Sequence, residues 1–398
     1  MKKKTSDILI IGMFLLLIGA MFLIFLFSPA KDFSEVENRS LAQMPEFNLK
    51  NLATGKFMTD FESFLTDQFP FRDTWTDAKA RCEKLLLKKE FNGVYLCEDG
   101  SLITRFDKPN YTLVERNVEA VNTLAENTDA QVWLSIVPSA ACIYSDKLPE
   151  NAPNYDQTAL IEHIYEKANV PVVDVASALM EHRDEYIFYR TDHHWTTLGA
   201  YYGYEALMQA MGQPVIPLSA YSPTVVTDEF YGTVYSSSGV HWTEPDSITL
   251  YAEDKGLEIE NHSDGSAKPG QLYDKSFLER KDKYSMFFGG NTPLLVIRTN
   301  VPDAQNILIL RDSYMDSECP FMLQNFSAIH MMDLRYYRLS VQDTLKKIRL
   351  MWYLSATVPL ILQATALCCW LHPDWRQINE DLIQNHPSGR SLPESASA

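Results

Sequence analysis

The sequence predicts an α/β protein with a mainly parallel sheet, set behind an N-terminal transmembrane helix. Two observations carry that expectation. From about Thr112 onward, helical stretches alternate with short apolar runs, the pattern of strands covered by helices on both faces. Ahead of them, an uncharged run from Ile8 to Phe27 follows Lys2, Lys3 and Lys4. Composition agrees with a folded chain: 46% of the 398 residues are hydrophobic, with 20 Tyr and 20 Phe to fill a core. The formal charge of −17, from 35 basic and 52 acidic side chains, argues against a nucleic-acid partner, because phosphate contacts require a basic face.

The run Ile8–Phe27 makes roughly 30 Å of helix at 1.5 Å per residue, about the thickness of bilayer hydrocarbon. Lysines before it put the N-terminus in the cytoplasm and the rest of the chain outside, giving a single-pass cell-membrane protein. A cleaved signal peptide is the competing reading, since Ser28-Pro29-Ala30 resembles a small-residue cleavage site. Signal peptides carry shorter apolar regions (about 7–15 residues) and Pro29 suits such a site badly, so residues 1–30 read as an uncleaved anchor.

Residues 31–105 read as a helical linker and hairpin region. Phe57, Phe61, Phe64 and Leu65 recur at helical spacing, and Asp73 to Glu90 is helical with Lys79, Arg81, Lys84, Lys88 and Lys89 as solvated positions. Asp99-Gly100 between short apolar runs predicts a hairpin over Gly93 to Ile103. The main domain is expected over 106–349. It has helices at Leu113–Thr128, Asp156–Ala168 and Thr197–Met211, and strands at Val132–Val137, Val170–Val175 and Asn306–Leu310. Residues 212–300, rich in Ser, Gly, Pro and Tyr, read as an insertion of small strands and long loops. Residues 350–398 form an atypical apolar segment and polar tail. Met351 to Leu371 carries no charge, so its length permits a second membrane span. Pro359 lets a buried segment, or a C-terminus altered by a frameshift, fit as well. The six cysteines show no metal-finger spacing. Cys82 and Cys97 are close enough in sequence for a disulfide, but most read as free or buried thiols.

Two segments carry chemistry. In Asp192-His193-His194-Trp195, an extended backbone would put Asp192 and His194 on one side and His193 and Trp195 on the other. A carboxylate on one ring nitrogen fixes the tautomer and supports the imidazolium when the other takes a proton. A metal site needs a third ligand, such as His241 or Asp312. No HExxH spacing supports one, so neither metal nor cofactor is expected. The second segment is Arg311-Asp312-Ser313-Tyr314, directly after an apolar strand. A serine there presents its hydroxyl at the carboxyl end of the sheet, where its own N–H can face an oxyanion. Ser236-Ser237-Ser238-Gly239 reads as a loop or a sugar-lining segment, Asp333 and Arg335 as a structural pair, and Ser139 as a strand end rather than a nucleophile.

Together, Glu37-Asn38-Arg39, Asp67-Gln68-Phe69-Pro70-Phe71-Arg72, Asn92-Gly93-Val94-Tyr95, Val137-Pro138-Ser139, Asp192-His193-His194-Trp195 and Arg311-Asp312-Ser313-Tyr314 resemble the DHHW protein family of Gram-positive bacteria. That family looks like the SGNH-hydrolase-like proteins that O-acetylate alginate and other exopolysaccharides. The resemblance implies a three-layer α/β/α sandwich, with His194 as base, Asp192 as its orienter and Ser313 as nucleophile. His193, Trp195, Arg311, Asp312 and Tyr314 would bind substrate or support the site. It also implies a cell-surface polysaccharide as substrate and an MBOAT-class membrane acyltransferase as acyl supplier. The activity would be an O-acetyltransferase or acetylesterase. The alternative on the same scaffold is a non-catalytic carbohydrate-binding or exopolysaccharide assembly protein. Arg311 stands where SGNH enzymes often carry a glycine.

Overall fold

A computed structural model describes residues 2–262, 266–337 and 351–357. The chain gathers into two compact units, the first drawn mainly from residues up to Lys88 and the second beginning at Lys89. The first holds helix α1 (Lys2–Phe27), a short hairpin of β1 (Phe33–Ser34) and β2 (Arg39–Ser40), then α2 (Leu49–Ala53), α3 (Lys56–Asp67) and α4 (Arg72–Leu85). Ser6–Phe27 of α1 is long and apolar enough to cross a membrane, and its side chains are exposed apart from the half-buried Met21 and Phe25. The Glu37 and Arg39 segment ties to the turn after α3. Arg39 donates to both Asp67 carboxylate oxygens at 2.9 and 2.5 Å, and Arg72 reaches Glu37 at 2.5 Å. The hydrogen bond from Arg39 is the largest effect holding the Asp67 carboxyl below its usual range.

The second unit opens with a three-stranded antiparallel sheet of β3 (Glu90–Phe91), β4 (Val94–Leu96) and β5 (Leu102–Thr104). The expected hairpin is therefore present, with Gly100 at φ 83° in its turn, but it belongs to the main unit rather than to the linker. The reason is burial: Phe91, Val94, Tyr95 and Ile103 are all core residues, and the Leu102 N–H donates to the Arg190 carbonyl at 2.8 Å. The boundary thus falls near Lys88, not at residue 105.

Next come α5 (Tyr111–Glu126), β6 (Val132–Val137), α6 (Ala140–Ile143), α7 (Gln157–Lys167), β7 (Val172–Val173), α8 (Val175–Glu181) and α9 (Thr197–Ala210). Side-chain caps start the longer helices: Asp156 accepts from Thr158 and Ala159 N–H groups, and Thr196 accepts from Gly199 N–H. A two-stranded sheet of β8 (Thr224–Phe230) and β9 (Asp246–Leu250) encloses α10 (Thr233–Ser238) in sequence. The chain ends its described course with β10 (Glu258–Asn261), β11 (Lys268–Pro269), β12 (Leu294–Arg298), β13 (Asn306–Leu310), α11 (Met315–Glu318), β14 (Ala328–Met332) and β15 (Met351–Thr357).

Eight strands form the central sheet in the order β11-β10-β12-β14-β13-β15-β6-β7. The run from β14 to β7 is parallel, whereas β12, β10 and β11 join antiparallel. The sheet is mixed, with its parallel strands confined to the run from β14 to β7. Residues 212–300 are not a simple insertion, since 258–298 supply three strands of the sheet. Glu258, Glu260 and Asn261 on β10 give that strand the polar composition of an edge, which is why its sequence reads as loop.

The parallel strands alternate their side chains between two cores. Val132, Leu134, Ile136, Leu308 and Leu310 meet Val114, Val118 and Val121 of α5 and Leu160 and Ile164 of α7 on one face. Trp133, Val137, Ile307 and Ile309 meet Leu179 of α8 and Tyr204, Leu207 and Met208 of α9 on the other. Three layers result. Each such side chain contributes about 1.5–3 kcal/mol on leaving water. Strand β15 lies between β13 and β6, pairing Leu310 with Leu354 and Val137 with Thr357. The first seven residues of the uncharged C-terminal run are therefore a central strand. The remainder to Leu371, with Cys368 and Cys369, lies outside the described residues. Cys82 is an exposed free thiol, and Cys97, Cys142 and Cys319 are buried free thiols.

Candidate active site

The parallel order sends the carboxyl ends of β13 and β6 to the same edge of the sheet. Ser313 sits three residues past the end of β13, half-buried on the turn into α11. Asp312 shapes that turn by accepting from the Tyr314 N–H at 3.1 Å. The segment carrying Asp192 and His194 precedes α9. It is a series of bends rather than an extended strand. The Asp192 and His194 side chains meet through an Asx turn, in which Asp192 Oδ1 accepts from the His194 N–H at 2.9 Å. His193 and Trp195 do not share a side, because His193 is exposed whereas Trp195 is completely buried.

The turn and the strand end bring three side chains into one row. Asp192 Oδ1 lies 2.5 Å from His194 Nδ1, and His194 Nε2 lies 2.7 Å from Ser313 Oγ. With the Nδ1 proton directed to the carboxylate, Nε2 is the nitrogen that accepts from the serine hydroxyl. The other oxygen of Asp192 accepts from the Thr233 N–H at 2.7 Å and its hydroxyl at 3.0 Å. Burial alone would push the Asp192 carboxyl up, but His193 and His194 beside it and these donors hold it well below the carboxylate range. Gly232 allows Thr233 to approach: a Cβ there would stand 2.3 Å from Asp192 Oδ2.

Residues outside the two motifs complete the support. Tyr284 lays its ring parallel to the His194 imidazole, with centroids 3.9 Å apart and an 8° interplanar angle. Its hydroxyl donates to the Ser313 carbonyl and Ser317 Oγ, both at 3.0 Å. Burial raises the Tyr284 phenol well above its ordinary value, so it stays a donor. Asp246 on β9 accepts from the Arg190 N–H at 3.0 Å and the Thr191 N–H at 2.8 Å, fixing the approach to the bend. The sequence carries no local sign of Tyr284, Thr233 or Asp246, because each arrives from well outside the motif it supports.

The other motif residues divide by burial. Trp195 donates its Nε1 proton to the Tyr314 carbonyl and Ser317 Oγ, both at 3.0 Å. Tyr314 donates its hydroxyl to the His193 carbonyl. Arg311 is 1% exposed and bonds Asp316 at 2.9 Å, which excludes it from direct contact with a substrate. Asp312, Tyr314 and Trp195 are buried too, leaving His193 as the exposed member of that set. Ser139 is bonded to Gln157 at 2.6 Å. Ser236, Ser237 and Ser238 lie in helix α10 rather than in a loop, and their hydroxyls bond backbone carbonyls in and just before that helix. Asp333 and Arg335 do form an ion pair, at 2.6 Å.

Asp192, His193 and His194 bring one ligand atom each within 4.8 Å of one another, the grouping a metal would need. Asp312 is not in that group, and both ring nitrogens of His194 already have partners. The donor set thus fits a proton relay better than an ion.

A family model described as DHHW protein matches residues 90–332. A protein of Pseudomonas aeruginosa named "Probable alginate O-acetylase AlgJ" is 26% identical over 193 residues, covering 44% of this chain and 47% of that one. The chain spans about half the length of the curated relatives it matches. Among solved structures, a DHHW family protein from Eubacterium siraeum superposes with a TM-score of 0.60 at 27% identity, covering 70% of this chain and 95% of that one. PatB1 of Bacillus cereus, solved with a sulfonyl adduct, gives a TM-score of 0.58 at 19% identity, covering 69% and 97%.

Proposed function

The chain belongs to the DHHW protein family, and from that premise we propose that it is an SGNH-type O-acyltransferase or esterase acting on a cell-surface polysaccharide. The observation that carries the reading is the unbroken row of hydrogen bonds Asp192–His194–Ser313 at 2.5 and 2.7 Å. In this reading Ser313 Oγ attacks the acyl carbonyl while His194 Nε2 takes its proton. The tetrahedral intermediate collapses as His194 returns that proton to the leaving oxygen, leaving an acyl-Ser313 ester. A polysaccharide hydroxyl, deprotonated by His194, then attacks the ester; the acyl bond to Ser313 Oγ breaks, His194 returns the proton to Oγ, and the glycan carries the acyl group away. Water in its place gives the esterase. Asp192 holds the tautomer and stabilises the imidazolium.

The Ser313 N–H, which has no partner among the described residues, serves as one oxyanion donor. Arg311 occupies the position of the common SGNH glycine. Its guanidinium is turned into the core toward Asp316, and that burial removes it from competition for the oxyanion. The α1 helix acts as a single-pass anchor holding the enzyme outside the cell, where an MBOAT-class acyltransferase would deliver the acyl group.

Ser313→Ala should abolish acetyl-ester turnover by the full chain while leaving its melting temperature within a few degrees of the parent. Full turnover in that variant would remove the proposal. A carbohydrate-binding or assembly protein on this scaffold would instead bind glycan while Ser313 stays inert to a serine-reactive probe.

A further inference from the structure

In the first unit, helix α3 has no buried residue. Its apolar side chains nevertheless share one stripe: Phe57, Met58, Phe61, Phe64 and Leu65 lie within about 120° of its circumference at 100° per residue, with Thr59, Asp60, Glu62, Ser63 and Asp67 opposite. Met58 is 57% exposed and Leu65 38% exposed. An amphipathic helix without a protein core beneath it requires another apolar cover.

The stripe continues into α1. Phe47, Phe57, Phe61, Phe64 and Phe25 form a chain of rings with successive centroids 5.4, 5.9, 6.2 and 6.0 Å apart. Among the described side chains of α1, only Met21 and Phe25 are partly covered, one turn apart on one face. They lie about 9 and 3 Å from Phe27, the end of the apolar span, at 1.5 Å per residue. Interfacial helices sink their apolar faces about 5–10 Å into the boundary between headgroups and acyl chains. Met21 falls within that range and Phe25, which carries the ring contact to Phe64, lies just outside its shallow limit.

We propose that α3 is an interfacial helix, its Phe57–Leu65 stripe seated in the outer leaflet of the bilayer that holds α1. Its occupant is phospholipid, continuous with the lipid around the anchor. The inference rests on the reading of α1 as a membrane anchor. An interfacial α3 fixes the tilt and depth at which the chain leaves the membrane, a constraint that a flexible linker would not supply.

Site-directed spin labelling of the full chain, in vesicles of phosphatidylglycerol and phosphatidylethanolamine, tests it. Labels replace Met58→Cys and Leu65→Cys on the stripe, Thr59→Cys and Ser63→Cys opposite, and Leu15→Cys in α1. The background carries Cys82→Ser, Cys368→Ser and Cys369→Ser. All four α3 positions are exposed, so labelling leaves packing undisturbed. The expected result is a ratio of oxygen to nickel-chelate collisions several-fold higher at 58 and 65 than at 59 and 63. Free access of the nickel chelate to 58 and 65 would overturn the proposal, as would their protection from both reagents, the sign of a protein cover. The anchor reading has its own readout. It fails if the Leu15→Cys label stays in water or the purified chain has lost α1. A lipid-immersed residue 15 beside water-exposed 58 and 65 sinks only the interfacial helix.

Discussion

Tyr284 shows how much of the candidate site is held by residues outside its motifs. Its ring covers one face of His194, and its hydroxyl steadies the turn that presents Ser313. Tyr284→Phe keeps the stacking and removes the hydroxyl, whose net contribution is about 0.5–1.5 kcal/mol, so kcat on an acetyl ester should fall roughly two- to tenfold. Tyr284→Ala removes both contacts and should cost more. Equal rates for the parent and both variants would separate Tyr284 from function. A second residue, Glu318, lies behind the site with Oε1 lacking a partner among the described residues. Burial first, and then the charge of Asp312, pushes its carboxyl from 4.5 to about 8. A raised acid favours the folded state fully below its ordinary value and loses that contribution as pH climbs through about 8. The melting temperature should therefore fall between pH 5 and pH 8, since every tenfold change in proton affinity on folding is worth roughly 1.4 kcal/mol. Glu318→Gln should flatten that slope, and an unchanged slope would contradict the assignment. Asp192 and His194 were readable because they stand two positions apart, and Ser313 because it follows an apolar strand. Tyr284 and Thr233 were not, because only tertiary folding brings them there.

Among the elements, β15 decides the integrity of the sheet. It supplies the pairing between β13, which leads to Ser313, and β6. A chain stopped after Leu350 would leave both strands with open edges in the centre of the core, where unpaired backbone groups are costly. Such a chain should lose its cooperative thermal transition, measured by circular dichroism, and melting like the parent would contradict that role. Apolar runs such as Val132–Val137 and Asn306–Leu310 were legible because central parallel strands are buried on both faces. The polar edge strand β10 was not, nor was β15, because the uncharged run from Met351 to Leu371 that it opens is long enough to read as a membrane span.

For the molecule as a whole, two compact units suit two tasks. The first carries the apolar helix and the ion pairs of Glu37, Arg39, Asp67 and Arg72, while the second carries the mixed sheet and the row Asp192–His194–Ser313. Across Asp192–Trp195 and Arg311–Tyr314, His193 is exposed, Ser313 is half-buried and the other side chains are buried. The proposed chemistry stands on Ser313 taking the acyl group with His194 as its base. Peptide mass mapping of the full chain, quenched in acid after brief exposure to an acetyl ester, decides that step. One added acetyl group is expected on the peptide holding Ser313, lost in both Ser313→Ala and His194→Ala. Acetylation elsewhere only, or on Ser313 undiminished without His194, would refute it.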